Sequence, residues 1–133
     1  MSQGNYSPHQ SSLFGMNANT LAVFTYLIPV ILVFIPIIRH FAWILAWLLP
    51  ILIFFMEKNS NLVKFHALQS VLLHVIRAIL LEICAWLPLI GGISRAAVIV
   101  ICFAVAIMAI IGAYNYKETH VPYIGDFVDR LIK

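Results

Sequence analysis

Six polar side chains interrupt one otherwise apolar stretch of the sequence, and their types are the ones that could do chemistry. They are His66, Gln69, Ser70, His74, Arg77 and Glu82. Because a helix turns by about 100° per residue, four of them share an arc of about 80°. Those four are His66, Ser70, His74 and Arg77, and Gln69 flanks them. We call the six residues the polar stripe.

Two chemistries would use such side chains, and the spacing supports neither strongly. A zinc site needs a compact set of three or four ligands, whereas His66 and His74 are eight residues apart and no further ligand completes the set. A hydrolase needs a nucleophile beside a base. Ser70 and His74 are four residues apart on one helix, with no oxyanion-hole motif nearby. The sequence therefore predicts no catalytic residue, no metal ligand and no cofactor, and we expect a protein that is not an enzyme.

Arg77 and Glu82 are the charged members of the stripe. Five residues is the wrong spacing for an ion pair on one helix face, so each must face a different neighbour. An arginine at the bilayer centre costs about 2.5–3.5 kcal/mol on insertion scales. Polar surroundings inside a helix bundle must offset that cost. One interpretation is that His74, Arg77 and Glu82 line a polar pathway. The other is that these three side chains are structural and bond helix carbonyls that lack a partner.

Two prolines supply such carbonyls. Pro29 and Pro50 lie near the middle of the first two apolar runs. A proline inside a helix removes one backbone hydrogen bond and pushes away the carbonyl four residues earlier. The carbonyls released in this way belong to Thr25 and Ala46. If the polar side chains are structural, they should form hydrogen bonds with the carbonyl groups of Thr25 and Ala46.

The elements that position the stripe must lie in a membrane. The 133 residues are 63% hydrophobic and 10% charged, whereas soluble domains carry about 25% charged residues. Such a chain cannot cover a surface that faces water. The net charge of +3 comes from basic residues scattered at helix ends, which is typical of membrane topology and not of nucleic-acid binding. Cys84 and Cys102 fall inside apolar runs and behave as buried hydrophobic residues.

The apolar runs predict an all-α integral membrane protein with four transmembrane helices and a short C-terminal interfacial helix. The predicted spans cover about residues 20–38, 41–57, 63–88 and 95–116. Gly91, Gly92 and Ser94 would form the last turn between spans. We expect a disordered polar tail at 1–18, a four-helix membrane domain at 19–117 and an interfacial segment at 118–133. An apolar stripe through Phe127 and Leu131, with Ile124 as a further candidate, would face the membrane surface.

Basic residues predict the orientation, because cytoplasmic loops carry the excess of Lys and Arg. With four crossings, the N-terminal tail, the loop around 57–66 and the C-terminal tail share one side. That side holds Lys58, Lys64, Lys117, Arg130 and Lys133, whereas the other holds Arg39 and Arg95. We therefore expect a multi-pass protein of the cell membrane with both termini in the cytoplasm.

Two short motifs resemble a known family. Positions 64–69 carry a basic-Phe-His-Ala-x-Gln run after a proline-containing apolar helix and an acidic–basic pair, and positions 121–125 read VPYIG. These motifs resemble small prokaryotic multi-pass membrane proteins of unknown function, which are grouped with the channel-like subunit of the chloroplast inner-envelope protein import translocon. The resemblance implies four membrane helices and brings no catalytic residues.

The function expected from these observations is a non-enzymatic membrane scaffold or a translocation-related accessory subunit. The alternative is a small oligomeric channel or transporter in which the polar stripe faces the pore. The expected partners are the lipid bilayer and either another membrane protein or further copies of this chain, with no nucleic acid.

His66 and Gln69 carry a more specific prediction. Asn59, Ser60 or Asn61 can cap the third helix, so the two motif side chains are free to bond elsewhere. We expect them to fasten this helix either to the end of the second helix near Glu57 or to the returning C-terminal tail.

Overall fold

The computed structural model describes residues 5–13, 15–33, 35–37 and 39–132. Over these residues the chain is helical, and its only β-type pairings are two isolated bridges. The elements are α1 (Ala18–Val33), a 3₁₀ turn (Arg39–Phe41), α2 (Ala42–Met56), α3 (Asn61–Ala85), α4 (Gly91–Tyr114) and α5 (Ile124–Ile132). The predicted all-α fold is confirmed. Helix α3 is the centre of the molecule, since it packs against each of the other four.

The helix lengths separate two candidate spans from two shorter helices. Helices α3 and α4 have 25 and 24 residues, and α1 and α2 have 16 and 15. At about 1.5 Å per residue, the first pair reaches about 36–38 Å and the second about 22–24 Å, against a hydrocarbon core of about 30 Å. The prediction of four transmembrane helices is therefore not supported, because among the described residues only α3 and α4 have the required length.

The connection between α3 and α4 differs from the predicted one. Helix α3 ends at Ala85, three residues earlier than expected, and α4 already begins at Gly91. A Cβ atom at Gly91 would lie 2.6 Å from the carbonyl oxygen of Cys84. Glycine at this position therefore lets the start of α4 lie against the end of α3. The turn falls at 86–90 instead, and Leu89 adopts a positive φ of 68°.

The end of α1 and the segment that precedes this helix also differ from expectation. Helix α1 ends at Val33, and residues 36–37 form a turn where the sequence predicts helix to residue 38. The N-terminal segment, expected to be disordered, makes defined contacts between residue 5 and residue 17. Within it Ser11 N donates to Met16 O at 2.9 Å, and Ala18 N donates to His9 O at 3.0 Å. The cause is that its hydrogen-bonding groups find partners on the bundle.

The apolar side chains are buried at one end of the bundle and exposed at the other. Tyr26, Phe65, Ala109 and Val128 belong to one buried cluster, and a second joins α1 to the start of α3. In the second half of α3 and the first half of α4 most large apolar side chains are exposed. The buried share of their most apolar stretches is only 33% and 17%. This exposed apolar surface matches what a bilayer would cover.

Helix α5 has two apolar faces. Ile124 and Val128 are buried against the bundle, whereas Phe127 and Leu131 are about half exposed and Tyr123, before the helix, is 91% exposed. The exposed residues repeat every four positions, so they form one stripe along the helix. The stripe predicted through Phe127 and Leu131 is therefore present on the outer face, as an interfacial helix requires.

Candidate functional site

Three polar segments meet at one end of the bundle. Tyr6 N donates to Tyr116 O at 2.9 Å, and Asn5 pairs with Lys117 in an isolated bridge. The loop between α2 and α3 contacts the N-terminal segment beside them. We call this surface the polar cap, and it comprises residues 5–13, 15–17, 57–60 and 115–123.

Glu57 organises the N-terminal part of the polar cap. Its carboxylate is almost fully buried and accepts hydrogen bonds from Ser12 N and Ser12 Oγ at 2.9 Å, Asn59 N at 2.8 Å and Ser60 N at 3.0 Å. Burial alone would raise the pKa of Glu57, but these donors together lower it below its ordinary value. The glutamate is therefore held as an anion that ties the N-terminal segment to the loop.

Ser60 starts α3 and contacts the N-terminal segment. Its hydroxyl accepts from Val63 N at 3.3 Å, which makes it the N-cap among the three candidates in the sequence. His9 Nε2 lies 2.7 Å from the same hydroxyl. The start of the central helix is therefore fixed by the N-terminal segment as well as by its own cap.

His66 connects three elements through its two ring nitrogens. Nε2 lies 2.8 Å from the carbonyl oxygen of Lys117, and Nδ1 lies 2.7 Å from the hydroxyl of Tyr26. A carbonyl only accepts hydrogen bonds, so Nε2 carries the proton and Nδ1 accepts from the tyrosine. His66 is completely buried. It therefore joins α1, α3 and the segment after α4 without a free polar atom.

The side-chain amide of Gln69 forms hydrogen bonds with α1 and with the segment after α4, which His66 also contacts. Its Nε2 donates to Tyr26 Oη at 2.8 Å and to Thr119 O at 3.0 Å, and its Oε1 accepts from Val121 N at 3.0 Å. His66 and Gln69 were expected to contact either the end of the second helix or the C-terminal segment. In the structure both bond to the C-terminal segment. We call Tyr26, His66 and Gln69, with the backbone groups they bond, the lock.

Ser70 extends these contacts to a helix carbonyl that the sequence had singled out. Its hydroxyl donates to Thr25 O at 2.7 Å. Position 29, four residues later, is a proline and has no N–H for that carbonyl. Ser70 therefore supplies a replacement donor, so a residue other than His74, Arg77 and Glu82 bonds this carbonyl.

The rest of the stripe does not continue the lock. His74 and Arg77 line a cavity of about 110 Å³ between α3 and α4, together with Cys102. Glu82 is exposed and accepts from Trp86 Nε1 at 3.3 Å. No hydrogen bond joins Ser70 to His74 in the described ranges. Of the six stripe residues, two therefore belong to the buried lock, Ser70 lies beside it, two line a small cavity and one is an exposed carboxylate.

A second group of titratable side chains lies beside the lock. Glu118, His120 and Asp129 each offer one ligand atom, and these atoms all lie within 4.8 Å of one another. His120 also contacts Asp126, with Nδ1 2.9 Å from Oδ1. This group is the one in the described part of the chain that could hold a metal ion.

Sequence reasoning missed this second group, although its residue types are visible. Glu118 and His120 are separated from Asp129 by a turn in which Tyr123 has a positive φ of 66°. Nothing in the residue types predicts such a backbone for tyrosine. The one available signal was Gly125, which permits the close approach of α5 to His120.

The sequence is similar to a described family and to several archaeal proteins. The model of the magnetosome magnetite crystal formation protein family matches residues 17–128. A UPF0132 membrane protein of Methanocaldococcus jannaschii is 24% identical over 88 residues, which are 66% of this chain and 63% of the relative. A UPF0132 membrane protein of Archaeoglobus fulgidus is 30% identical over 91 residues, which are 68% of this chain and 88% of the relative.

A second UPF0132 membrane protein of M. jannaschii is 34% identical over 80 residues, which are 60% of this chain and 72% of the relative. The chain thus spans less than two thirds of the first of these relatives. No solved structure matches. These similarities confirm a small prokaryotic membrane protein family and membrane localisation, and the names of the relatives state no activity. They do not bear on the grouping with the translocon subunit.

Proposed function

The chain belongs to the magnetosome magnetite crystal formation protein family, and from this we propose that it is a non-enzymatic membrane scaffold whose polar cap binds a partner protein. The lock carries the proposal. A channel needs polar groups that face water, whereas His66 and Gln69 are completely buried and spend their hydrogen bonds on the protein itself. Such a network fixes the shape of a surface, which is what a scaffold requires.

The proposed topology is multi-pass with the polar cap in the cytoplasm. Helices α3 and α4 cross the bilayer, and the hairpin of α1 and α2 enters from the polar-cap side. At about 22–24 Å each, α1 and α2 either cross with local thinning of the bilayer or form a re-entrant hairpin. Both arrangements return the chain to the same side. The convergence of all three cap segments at one end of the bundle supports this topology.

The family description gives the scaffold a setting. It names magnetite crystal formation, and the corresponding role for this chain is that of an accessory subunit in a membrane at which a crystal forms. The resemblance to the translocon-related group suggests an accessory role in protein translocation. Both roles need a rigid cytoplasmic surface that other proteins recognise.

Site-specific photocrosslinking in native membranes tests the proposal. The photoreactive residue is placed at Asn59, just before α3, or at Asn115, just after α4, which are both exposed on the polar cap. The matched control position is Ile99 on the exposed face of α4. We expect a discrete protein adduct at the cap positions and none at position 99. The cap adduct should disappear in the Gln69→Leu variant, which disrupts the lock. Absence of any adduct at the cap would contradict the scaffold.

A channel or transporter is the second candidate, and one observation favours it. His74 and Arg77 face the cavity between α3 and α4, and His74 Nδ1 is buried with no hydrogen bond to any described residue. Ion flux in proteoliposomes that is abolished by Arg77→Leu would establish this alternative. The scaffold predicts no flux above empty vesicles.

A further inference from the structure

The second group of side chains beside the lock converges from two parts of the chain. Glu118 and His120 lie on the segment whose Lys117 and Thr119 carbonyls the lock holds. Asp129 comes from α5, where Asp126 lies one turn earlier on the same face. The two parts are brought together by tertiary packing, so the arrangement is part of the folded structure and not a local sequence cluster.

Gly125 makes this convergence possible. A Cβ atom at that position would lie 2.5 Å from His120 Cβ and 2.6 Å from His120 Cα. Such distances essentially never occur between real side chains, so any other residue would push α5 away from His120. The glycine therefore brings the aspartates of α5 within reach of the imidazole.

The imidazole of His120 is held in one orientation. Its ring stacks on Phe65 with centroids 5.1 Å apart and an angle of 27° between the planes. Nδ1 lies 2.9 Å from Asp126 Oδ1. Because a carboxylate accepts, Nδ1 carries the proton when the ring is neutral, and in that form Nε2 presents its lone pair. This carboxylate–histidine pair is the arrangement that orients metal-binding histidines in proteins.

The lone pair of Nε2 faces a second carboxylate. Asp129 Oδ2 is 3.1 Å away, yet Nε2 is buried and makes no hydrogen bond to any residue the structure describes. A lone pair and a carboxylate oxygen at that distance repel each other unless a cation lies between them. A metal about 2.0–2.2 Å from each ligand atom places neighbouring ligand atoms about 3 Å apart. The observed separation fits that geometry.

Glu118 completes the donor set. Its side chain is fully buried, and the Tyr6 hydroxyl donates to its Oε1. Hydrogen-bonded carboxylates are usual as metal ligands, because the second contact fixes their orientation. The carboxylate of Glu118 is therefore buried and held in one orientation, as a ligand in this site would be.

We propose that Glu118, His120 and Asp129 bind one divalent transition-metal cation. One imidazole nitrogen with two carboxylate oxygens suits Mn²⁺, Fe²⁺, Co²⁺ or Zn²⁺, whereas Mg²⁺ and Ca²⁺ prefer oxygen ligands alone. Bound there, the metal clamps α5 to the segment after α4. Through Tyr6 it also fixes the N-terminal segment, so metal binding would stabilise the polar cap.

Titration of the purified full-length protein with Co²⁺ tests the proposal, after treatment with a chelator that is then removed. The visible absorption of bound Co²⁺ reports binding, and thermal melting reports stabilisation. We expect one Co²⁺ per chain and a raised melting temperature, with no comparable effect of Mg²⁺. The variants His120→Gln and Asp129→Asn should lose at least 100-fold in affinity.

Two further variants keep the test decisive. Asp126→Asn leaves all three ligands in place and should weaken Co²⁺ binding by about 10–100-fold, as expected for loss of an orienting carboxylate. His9→Gln changes another histidine of the polar cap and should leave binding unchanged. Absence of Co²⁺ binding by the wild-type protein, or equal loss in His9→Gln, would overturn the proposal.

Discussion

Tyr26 Oη lies 2.7 Å from His66 Nδ1, and this hydrogen bond joins α1 to the central helix inside the bundle. The tyrosine accepts from Gln69 and donates to His66, which in turn donates to the carbonyl of Lys117. Each donor in this chain has one acceptor, so a single arrangement of protons satisfies it. The lock thereby ties the C-terminal segment to two helices at once.

Replacement of Tyr26 with phenylalanine tests the centre of the lock. Tyr26→Phe keeps the ring but leaves His66 Nδ1 and one Gln69 N–H buried without a partner. An unsatisfied buried polar group costs about 1–3 kcal/mol. We expect the variant to lose stability of this order, measured as a lower melting temperature in detergent.

Tyr114→Phe is the matched control, because Tyr114 is 66% exposed. It should melt within experimental error of the wild-type protein. Equal melting of Tyr26→Phe and wild type would mean that the hydroxyl of Tyr26 contributes nothing to the lock.

Loss of both motif side chains should loosen the polar cap without affecting membrane insertion. In His66→Ala with Gln69→Ala, the backbone groups of Lys117, Thr119 and Val121 lose their bonds to α3. We expect faster protease cleavage at Lys64 and Lys117 in inside-out vesicles. His74→Ala is the control, since His74 belongs to the stripe but not to the lock. Cleavage rates that match in all three proteins would exclude the lock as the fastening of the C-terminal segment.

Features that depend on local chemistry can be predicted from the sequence, whereas features that depend on tertiary packing cannot. The apolar runs and Ser60 predict the start of α3, and the proline at position 29 predicts a free carbonyl at Thr25. Both depend on local chemistry, which is readable from residue types. The start of α4 at Gly91 is not readable, because a glycine pair predicts a turn until the approach of Cys84 is known.

The candidate metal-binding group shows the same limit more clearly. His120 and Asp129 are nine residues apart, and their meeting depends on the backbone at Tyr123 and on packing against Phe65. The ordered contacts of the N-terminal segment could not be predicted either, because its composition is typical of disorder. Its contacts depend on Glu57, a residue more than forty positions away.

Acid should release the N-terminal segment. The pKa of Glu57 is lowered in the folded protein from the ordinary 4.5. A lowered pKa contributes stability that is present above the ordinary value and is lost as the pH falls through the folded value. We expect the protection factor of the Ser12 amide, which compares its exchange rate with that of the unstructured peptide at the same pH, to fall at a pH below about 4.5. In Glu57→Gln, this protection factor should already be low at neutral pH and show no further acid step. A wild-type protein without the acid step would contradict the assignment.

Arg77 should tolerate an apolar replacement better than a reversal of charge. Arg77→Leu removes the cost of burying the charge and is expected to melt near wild type, as buried-charge replacements often do. Arg77→Glu places a carboxylate in the same cavity and should melt clearly lower. Arg95→Glu, at an exposed position, should have little effect. Equal melting of all four proteins would mean that Arg77 faces water.

Cysteine labelling in intact cells tests most directly whether the polar cap is one cytoplasmic surface. Single cysteines replace Ser7, Asn59 and Asn115, one exposed position in or beside each cap segment, in a background without Cys84 and Cys102. A fourth cysteine at Ile90 marks the opposite end of the bundle. We expect an impermeant thiol reagent to label only position 90 in intact cells and to label the other three positions in inside-out vesicles. Labelling of position 7, 59 or 115 from outside the cell would contradict it.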